Sequence, residues 1–232
     1  LIMALSKVNF NSMNVTPAAS KAIKFNSSNN GLETGDVGGN LVLISEHTFS
    51  SDASITITSG IDSTYKEYIF KFINIRSTDD SRDFGFQVDT GTNTNYNQSI
   101  TSTFFDAYQQ TLTGSGTELR YLGGTRDQAN GTAHQPLTVL SSGENDKTDG
   151  SGTTVAATSQ CECGTLHLFD PSNTTFVKHF FSMASGMIGG NYGGVQFSAG
   201  YINTTSAITR IKFYLSNSAN ITSGTIKMYG VL

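Results

Sequence analysis

The chain has no tryptophan, only two cysteines and few charges: 14% of its 232 residues are Asp, Glu, Lys or Arg, well below the ~25% usual for globular domains. Each shortage excludes something. Without tryptophan, the commonest platform for stacking a sugar ring is missing, although nine tyrosines remain. Runs of Ala, Leu, Glu and Lys are absent, which argues against a helical fold. No apolar run approaches the ~20 residues that a membrane-spanning helix requires, so membrane insertion is not expected. Net charge is −4 and the pI about 5.5, and no basic stripe is present, so nucleic acid is excluded as a partner held through its phosphates. The opening LIMALSK lacks the apolar region and small-residue cleavage site of a secretory signal, and Met3 reads as the natural start. The cysteines, Cys161 and Cys163, sit two residues apart. On a strand that places them about 6.6–6.8 Å apart on one side, at the limit for a disulfide. Two thiolates with no histidine at ligand spacing do not complete a zinc site, so ordinary thiols are expected.

What is present is a strand pattern. Residues 65–88 organise it: YKEYIFKFINI, a polar turn, then DFGFQV. Side chains on an extended chain alternate with period two. Tyr68, Phe70 and Phe72 therefore share one side of the first run, and Phe84, Phe86 and Val88 one side of the second. The spacing predicts an antiparallel pair with one face in a core. The other side of the first run holds Glu67, Ile69, Lys71, Ile73 and Ile75. That is too apolar for a solvated face, which makes Ile69, Ile73 and Ile75 candidate subunit-interface residues.

Residues 1–40 are rich in Asn, Ser and Gly and read as an extended N-terminal arm with one short strand around Ala22–Phe25. From residue 41 strand signals are dense. Leu41 to Ile44 reads as a buried run; residues 54–58, 165–169, 195–201 and 211–215 alternate, and residues 224–232 close the chain in a strand. Residues 109–152, anchored by Leu119, Tyr121, Leu122, Leu137, Val139 and Leu140, read as a loop-rich rim, where binding often sits on a rigid scaffold. Many short strands between turn signals predict an all-β, two-sheet antiparallel sandwich of jelly-roll type over residues 41–232.

No catalytic motif stands out. His47, His134, His167 and His179 are scattered; His167 and His179 lie in predicted strands that allow them to pair across a sheet, but satisfied structural histidines are expected. Asp106, Glu118, Asp127 and Glu162 are the carboxylates available for glycoside hydrolysis, which needs two about 5–10 Å apart; none forms a recognisable pair. Asp79, Asp80 and Asp83, and Asn145, Asp146, Asp149 and Gly150, are loose oxygen clusters with fewer ligands than a calcium loop requires. Turn chemistry favours the same residue types. Sequons at Asn14, Asn26, Asn97, Asn130, Asn173, Asn203 and Asn220 are what a chain rich in Asn, Ser and Thr produces by chance. No catalytic residue, cofactor or metal is expected.

Three segments carry a resemblance. MALSKV at residues 3–8 is similar to the openings of many phage fibre and appendage proteins. TSGIDSTY at residues 58–65, followed by YIFKFINI, resembles a recurrent phage segment. ITRIKFYLSNSANITSGTIKMYGVL at residues 208–232 looks like the closing strands of the same proteins. Together they cover under half of the chain and resemble virion structural proteins of tailed bacteriophages of the marine type. The resemblance implies a non-enzymatic subunit of a phage particle, a fibre or appendage domain or a capsid decoration protein, exposed on the virion surface. It implies homo-oligomer assembly, a homotrimer by expectation, with other virion proteins as partners and a host surface glycan as a contact. The alternatives are a lectin-like carbohydrate-binding module and a tail-associated polysaccharide depolymerase.

Overall fold

The computed structural model describes residues 15–16, 21–36, 39–77, 79, 82–110, 116–124, 126–140, 147–148, 154–155, 161–188 and 192–232. The chain divides into two compact units, Leu1–Asn40 and Leu41–Leu232.

In the first unit, β1 (Lys21–Phe25) pairs antiparallel with β2 (Leu32–Asp36), so the single strand expected there has a partner. Asn26 closes the turn: its side-chain oxygen accepts from the Asn30 backbone N–H. Ile23, Phe25 and Leu32 fall on one side of the hairpin, and Phe25 is 73% exposed.

The second unit is all-β. Its strands are β3 (Leu41–Thr48), β4 (Ser54–Ile57), β5 (Glu67–Ser77), β6 (Arg82–Thr90), β7 (Ile100–Gln110), β8 (Thr117–Tyr121), β9 (Ala129–Gly131), β10 (Gln135–Leu140), β11 (Lys147–Thr148), β12 (Thr154–Val155), β13 (Glu162–Phe169), β14 (Lys178–Ile188), β15 (Tyr192–Ile202), β16 (Ile208–Leu215) and β17 (Ile221–Val231). A large antiparallel sheet runs β3-β17-β5-β13-β14-β15-β7-β8, with β9 also on β7. A small one runs β10-β6-β16-β4, and β11 pairs β12 separately. The two main sheets face each other through aromatic rings. Phe70 lies 5.5 Å from Phe213, Phe72 5.4 Å from Phe84, and Phe86 5.2 Å from Phe180. Tyr68, Phe70, Phe72, Phe84, Phe86 and Val88 are all fully buried, as their alternation predicts. Aromatic contacts at this spacing add about 0.5–1.5 kcal/mol per pair beyond burial.

The pairing of these runs differs from the sequence expectation. β5 and β6 are not hydrogen-bonded neighbours; they lie in opposite sheets and meet ring to ring across the core. Alternation states which side of a strand is buried, not which strand lies beside it. Ile75 also departs. The pairing of β5 with β13 jumps from Phe72 opposite Gly164 to Ile75 opposite Glu162, and Asn74 is left-handed at φ 54°. That extra residue is a bulge, and it reverses the phase of the alternation. Ile75 therefore points into the core and is fully buried, while Ile73 stays outside at 37% exposure. Gly224 (φ 128°) lies against the bulge; a Cβ there would meet Ile75 Cδ1 at 2.7 Å.

Two further expectations shift. Leu41 and Leu43 do not form a buried run: β3 is an edge strand, and both are exposed. Residues 109–152 are not loop throughout. β10 is an edge strand of the small sheet, with Leu137 fully buried. Its signal was weak because its buried polar residues, Gln135 and Thr138, are satisfied by partners distant in sequence: Gln135 accepts from Ser102 Oγ at 2.6 Å, and Thr138 donates to Glu162 at 3.0 Å.

Candidate functional site

The two main sheets treat their outer faces differently. On the small sheet, Gln87 and Asp89 point away from the core yet are fully buried. The Gln87 side-chain amide donates to the carbonyls of Gln98, Thr132 and Ala133, and Asp89 accepts from the Thr90 and Tyr96 backbone N–H groups. Satisfied amides and carboxylates thus hold loops over that face.

The large sheet carries apolar groups outward instead. Its register lays them in rows. One row runs Leu43, Tyr229, Ile69, His167, Phe181 across five strands. The next runs Lys71, Thr165, Met183, Phe197, Phe105, Tyr121 across six. At about 4.8 Å per strand the second row spans roughly 24 Å. Phe105 stacks on Phe197 at 4.9 Å, and His167 on Phe181 at 4.3 Å. Phe181 is 42% exposed and Met183 49%. At one end, Phe169, Phe176 and His179 border a depression of about 320 Å³. Of the three candidate interface residues, Ile69 and Ile73 belong to this face and Ile75 does not. The wider set of Phe105, Phe181, Met183 and Phe197 was not singled out from sequence. Each alternates in an ordinary amphipathic strand, and only the sheet order brings them side by side.

Glu162 and Asp106 share a sheet but not a reaction centre. Glu162, on β13, is buried. Burial pushes its pKa up to about 8, against the opposing effect of the hydrogen bond from Thr138. The carboxyl lies over Gly186, where a Cβ would collide with it. Asp106, on β7, is three strands away, roughly 14 Å at 4.8 Å per strand. It is held by Arg120 in a two-pronged contact at 2.9 and 2.6 Å on the side away from Glu162. Arg120 covers the ring of Tyr108 at 4.5 Å, and the Tyr108 hydroxyl donates to Glu118 at 2.6 Å. Asp127 accepts from the Tyr121 hydroxyl and the Gly124 N–H in a turn. Hydrolytic pairs need 5–10 Å and a shared substrate position; Glu162 and Asp106 offer neither.

The remaining polar candidates have structural partners. Asp79 pairs with Arg82 and Asp83 with Arg126, so these carboxylates are spent on arginines; Asp80 and the cluster at 145–150, apart from Lys147 and Thr148, lie outside the described residues. Among the described residues no group of three or more His, Cys, Asp or Glu is placed to hold a metal ion. Cys161 and Cys163 are free thiols that both approach the Asn74 side-chain oxygen at 3.5 Å. Burial, then the neighbouring Cys163, pushes the Cys161 thiol above its ordinary value. His167 does not pair with His179; it binds Glu67 at 2.6 Å. Several sequon asparagines serve turns, with Asn173 accepting from the Thr175 and Phe176 N–H groups and Asn203 donating to Asn130. Sequence reasoning also missed Lys178. It is fully buried, and its ammonium donates to the carbonyls of Phe176 and Thr204 at 2.8 and 3.1 Å.

No protein-family model matches this chain, and no curated protein matches it. No helix among the described residues is long and apolar enough to cross a membrane.

Proposed function

We propose that this chain is a non-enzymatic structural subunit of a bacteriophage particle, assembling with copies of itself through the outer face of its large sheet. The observation that carries the assembly reading is the apolar surface of that face. Ile73 on β5, Phe181 and Met183 on β14 and Phe105 on β7 stand exposed on one sheet. Large contiguous apolar patches mark interaction sites, and the core of a subunit interface is enriched in aromatic residues and Met. The apolar side of the β1–β2 hairpin supports the same reading, because an isolated two-stranded hairpin is marginal in water. In this proposal the sandwich is of jelly-roll type, the Leu1–Asn40 unit is an extended attachment arm to a neighbour or to other virion proteins, and the assembly is a homotrimer on the virion surface. The particle assignment rests on the resemblance of the opening, middle and closing segments to tailed-phage virion proteins. A fibre, appendage or capsid-decoration position is equally served by such a subunit.

Met183→Asp places a charge at the centre of the apolar rows. Sedimentation of the wild-type chain is expected to give a trimer, and the variant is expected to shift to monomer at the same concentration while keeping the β-sheet circular dichroism of the folded chain; its thermal midpoint falls only by what association had added. A wild-type chain that stays monomeric at micromolar concentration would remove the assembly reading.

A further inference from the structure

A second surface feature lies on the small sheet, away from the apolar rows. A cavity of about 460 Å³ opens between β4, β16 and the turn at Ser216–Ser218. Its wall includes Ser54, His134, Lys212, Tyr214 and Asn217. The volume lies in the ~300–1,000 Å³ range of ligand sites and suits one or two sugar rings. In a chain of net charge −4, none of the residues lining this cavity is a carboxylate.

Lys212 supplies the charge. Its ammonium sits 5.0 Å from the centre of the Tyr214 ring and 5.8 Å from that of Tyr96, and it has no acidic partner among the described residues. Cation–π contacts hold a cation in place without neutralising it. A charge fixed in advance loses little freedom when an anion arrives. His134 packs against Tyr214 at 5.1 Å, and its Nε2 is buried without a hydrogen-bond partner among the described residues. Burial holds His134 below its ordinary pKa, against the pull of Asp83, so at neutral pH the positive charge in the cavity is that of Lys212. The remaining wall is mixed: Ser54, Ser216, Ser218 and Asn217 supply hydroxyl and amide groups and Ala53 and Leu215 supply apolar surface, which matches a sugar ring with its hydroxyl edge and C–H faces. Lys212 and His134 both lie against Tyr214, so its ring offers poor stacking for a nucleobase.

We propose that this cavity binds an anionic saccharide unit, one carrying a carboxylate or a sulfate, with Lys212 as the group that reads the charge. This builds on the host-glycan contact that the resemblance implies and needs no second copy, so it and the assembly reading can each fail while the other stands.

The test is titration calorimetry on the full chain with four probes: an oligogalacturonate, a sulfated galactan oligosaccharide, a neutral galacto-oligosaccharide of the same length, and adenosine monophosphate. At least one anionic oligosaccharide is expected to bind about tenfold or more tightly than the neutral one and the nucleotide; which of the two does so distinguishes carboxylate from sulfate. Lys212→Met is expected to weaken that binding about tenfold or more, and Lys212→Arg by no more than about threefold. Asn217, left-handed at φ 56°, accepts Asn217→Gly without backbone strain; this variant is expected to weaken binding about threefold and serves if Lys212→Met fails to fold. Binding equal to that of the neutral oligosaccharide, equal binding of the nucleotide, no binding at all, or affinity unchanged in the folded variants would each overturn the proposal.

Discussion

On the inner side of β5, Phe70 and Phe72 are closed off by rings of the opposing sheet and Tyr68 packs against Tyr65, while on the outer side Ile69, Lys71 and Ile73 lie beside strands of their own sheet. Both sides carry large apolar side chains in sequence. Their consequences differ because burial, not residue type, sets the free energy of a hydrophobic group. Inner residues stabilise the fold. Outer residues stabilise little within one copy and are available to whatever covers them. The small sheet shows that an outer face need not be left this way, since Gln87 and Asp89 there are built over by loops.

The comparison can be broken at several levels. Phe72→Ala deletes a ring from the closed side and is expected to cost about 3–5 kcal/mol, read as a lower denaturant midpoint with an unchanged slope. Glu162→Gln removes a group whose folded pKa is raised from 4.5 to about 8. In the wild type the folded state keeps a proton that the unfolded state releases, so the contribution of Glu162 is fully present below pH 4.5 and is lost as pH rises through about 8. Across that window stability should fall by up to about 1.4 kcal/mol per pH unit. The variant is expected to flatten this slope and to be more stable than wild type at pH 8, as measured by denaturation at pH 5, 6.5 and 8. Tyr68→Phe keeps the ring but removes the hydroxyl that donates to the Asp62 carbonyl and accepts from the Asp62 N–H, both at 2.9 Å. A loss of about 1–2 kcal/mol is expected in the same assay. Ile73→Ser, on the open side, is expected to change the stability of an isolated copy by less than about 0.5 kcal/mol while weakening self-association in sedimentation. A large stability loss there would show that Ile73 is already covered within one copy.

Much of the core was legible because period-two alternation is local. Tyr68, Phe70, Phe72, Phe84, Phe86 and Val88 declare their buried side from their own spacing. The partners were not legible. The polar stretch RSTDDSR reads as the turn of a hairpin, yet β5 and β6 lie in different sheets. Ile75 was misplaced because nothing in INIRS announces a bulge; Asn74 tolerates the left-handed conformation, but asparagine is common in this chain. The outer apolar surface was visible only as Ile69 and Ile73. Phe105, Phe181, Met183 and Phe197 come from strands far apart in sequence and become one surface only through the order β5-β13-β14-β15-β7. The cavity at Lys212 had no sequence signal, since it depends on β4, β16 and the residue 134 loop converging.

The amino-acid sequence by itself determined that this is a β protein with aromatic strand faces, sparse charge and no helix-forming runs, because those properties are set by neighbours two residues apart and by composition. Only the tertiary structure decided that β5 and β6 oppose rather than pair, that Ile75 turns inward, and that an apolar face and a carboxylate-free cavity lie on different sheets. Those outcomes depend on contacts between residues distant in the chain, where alternation carries no information about the partner.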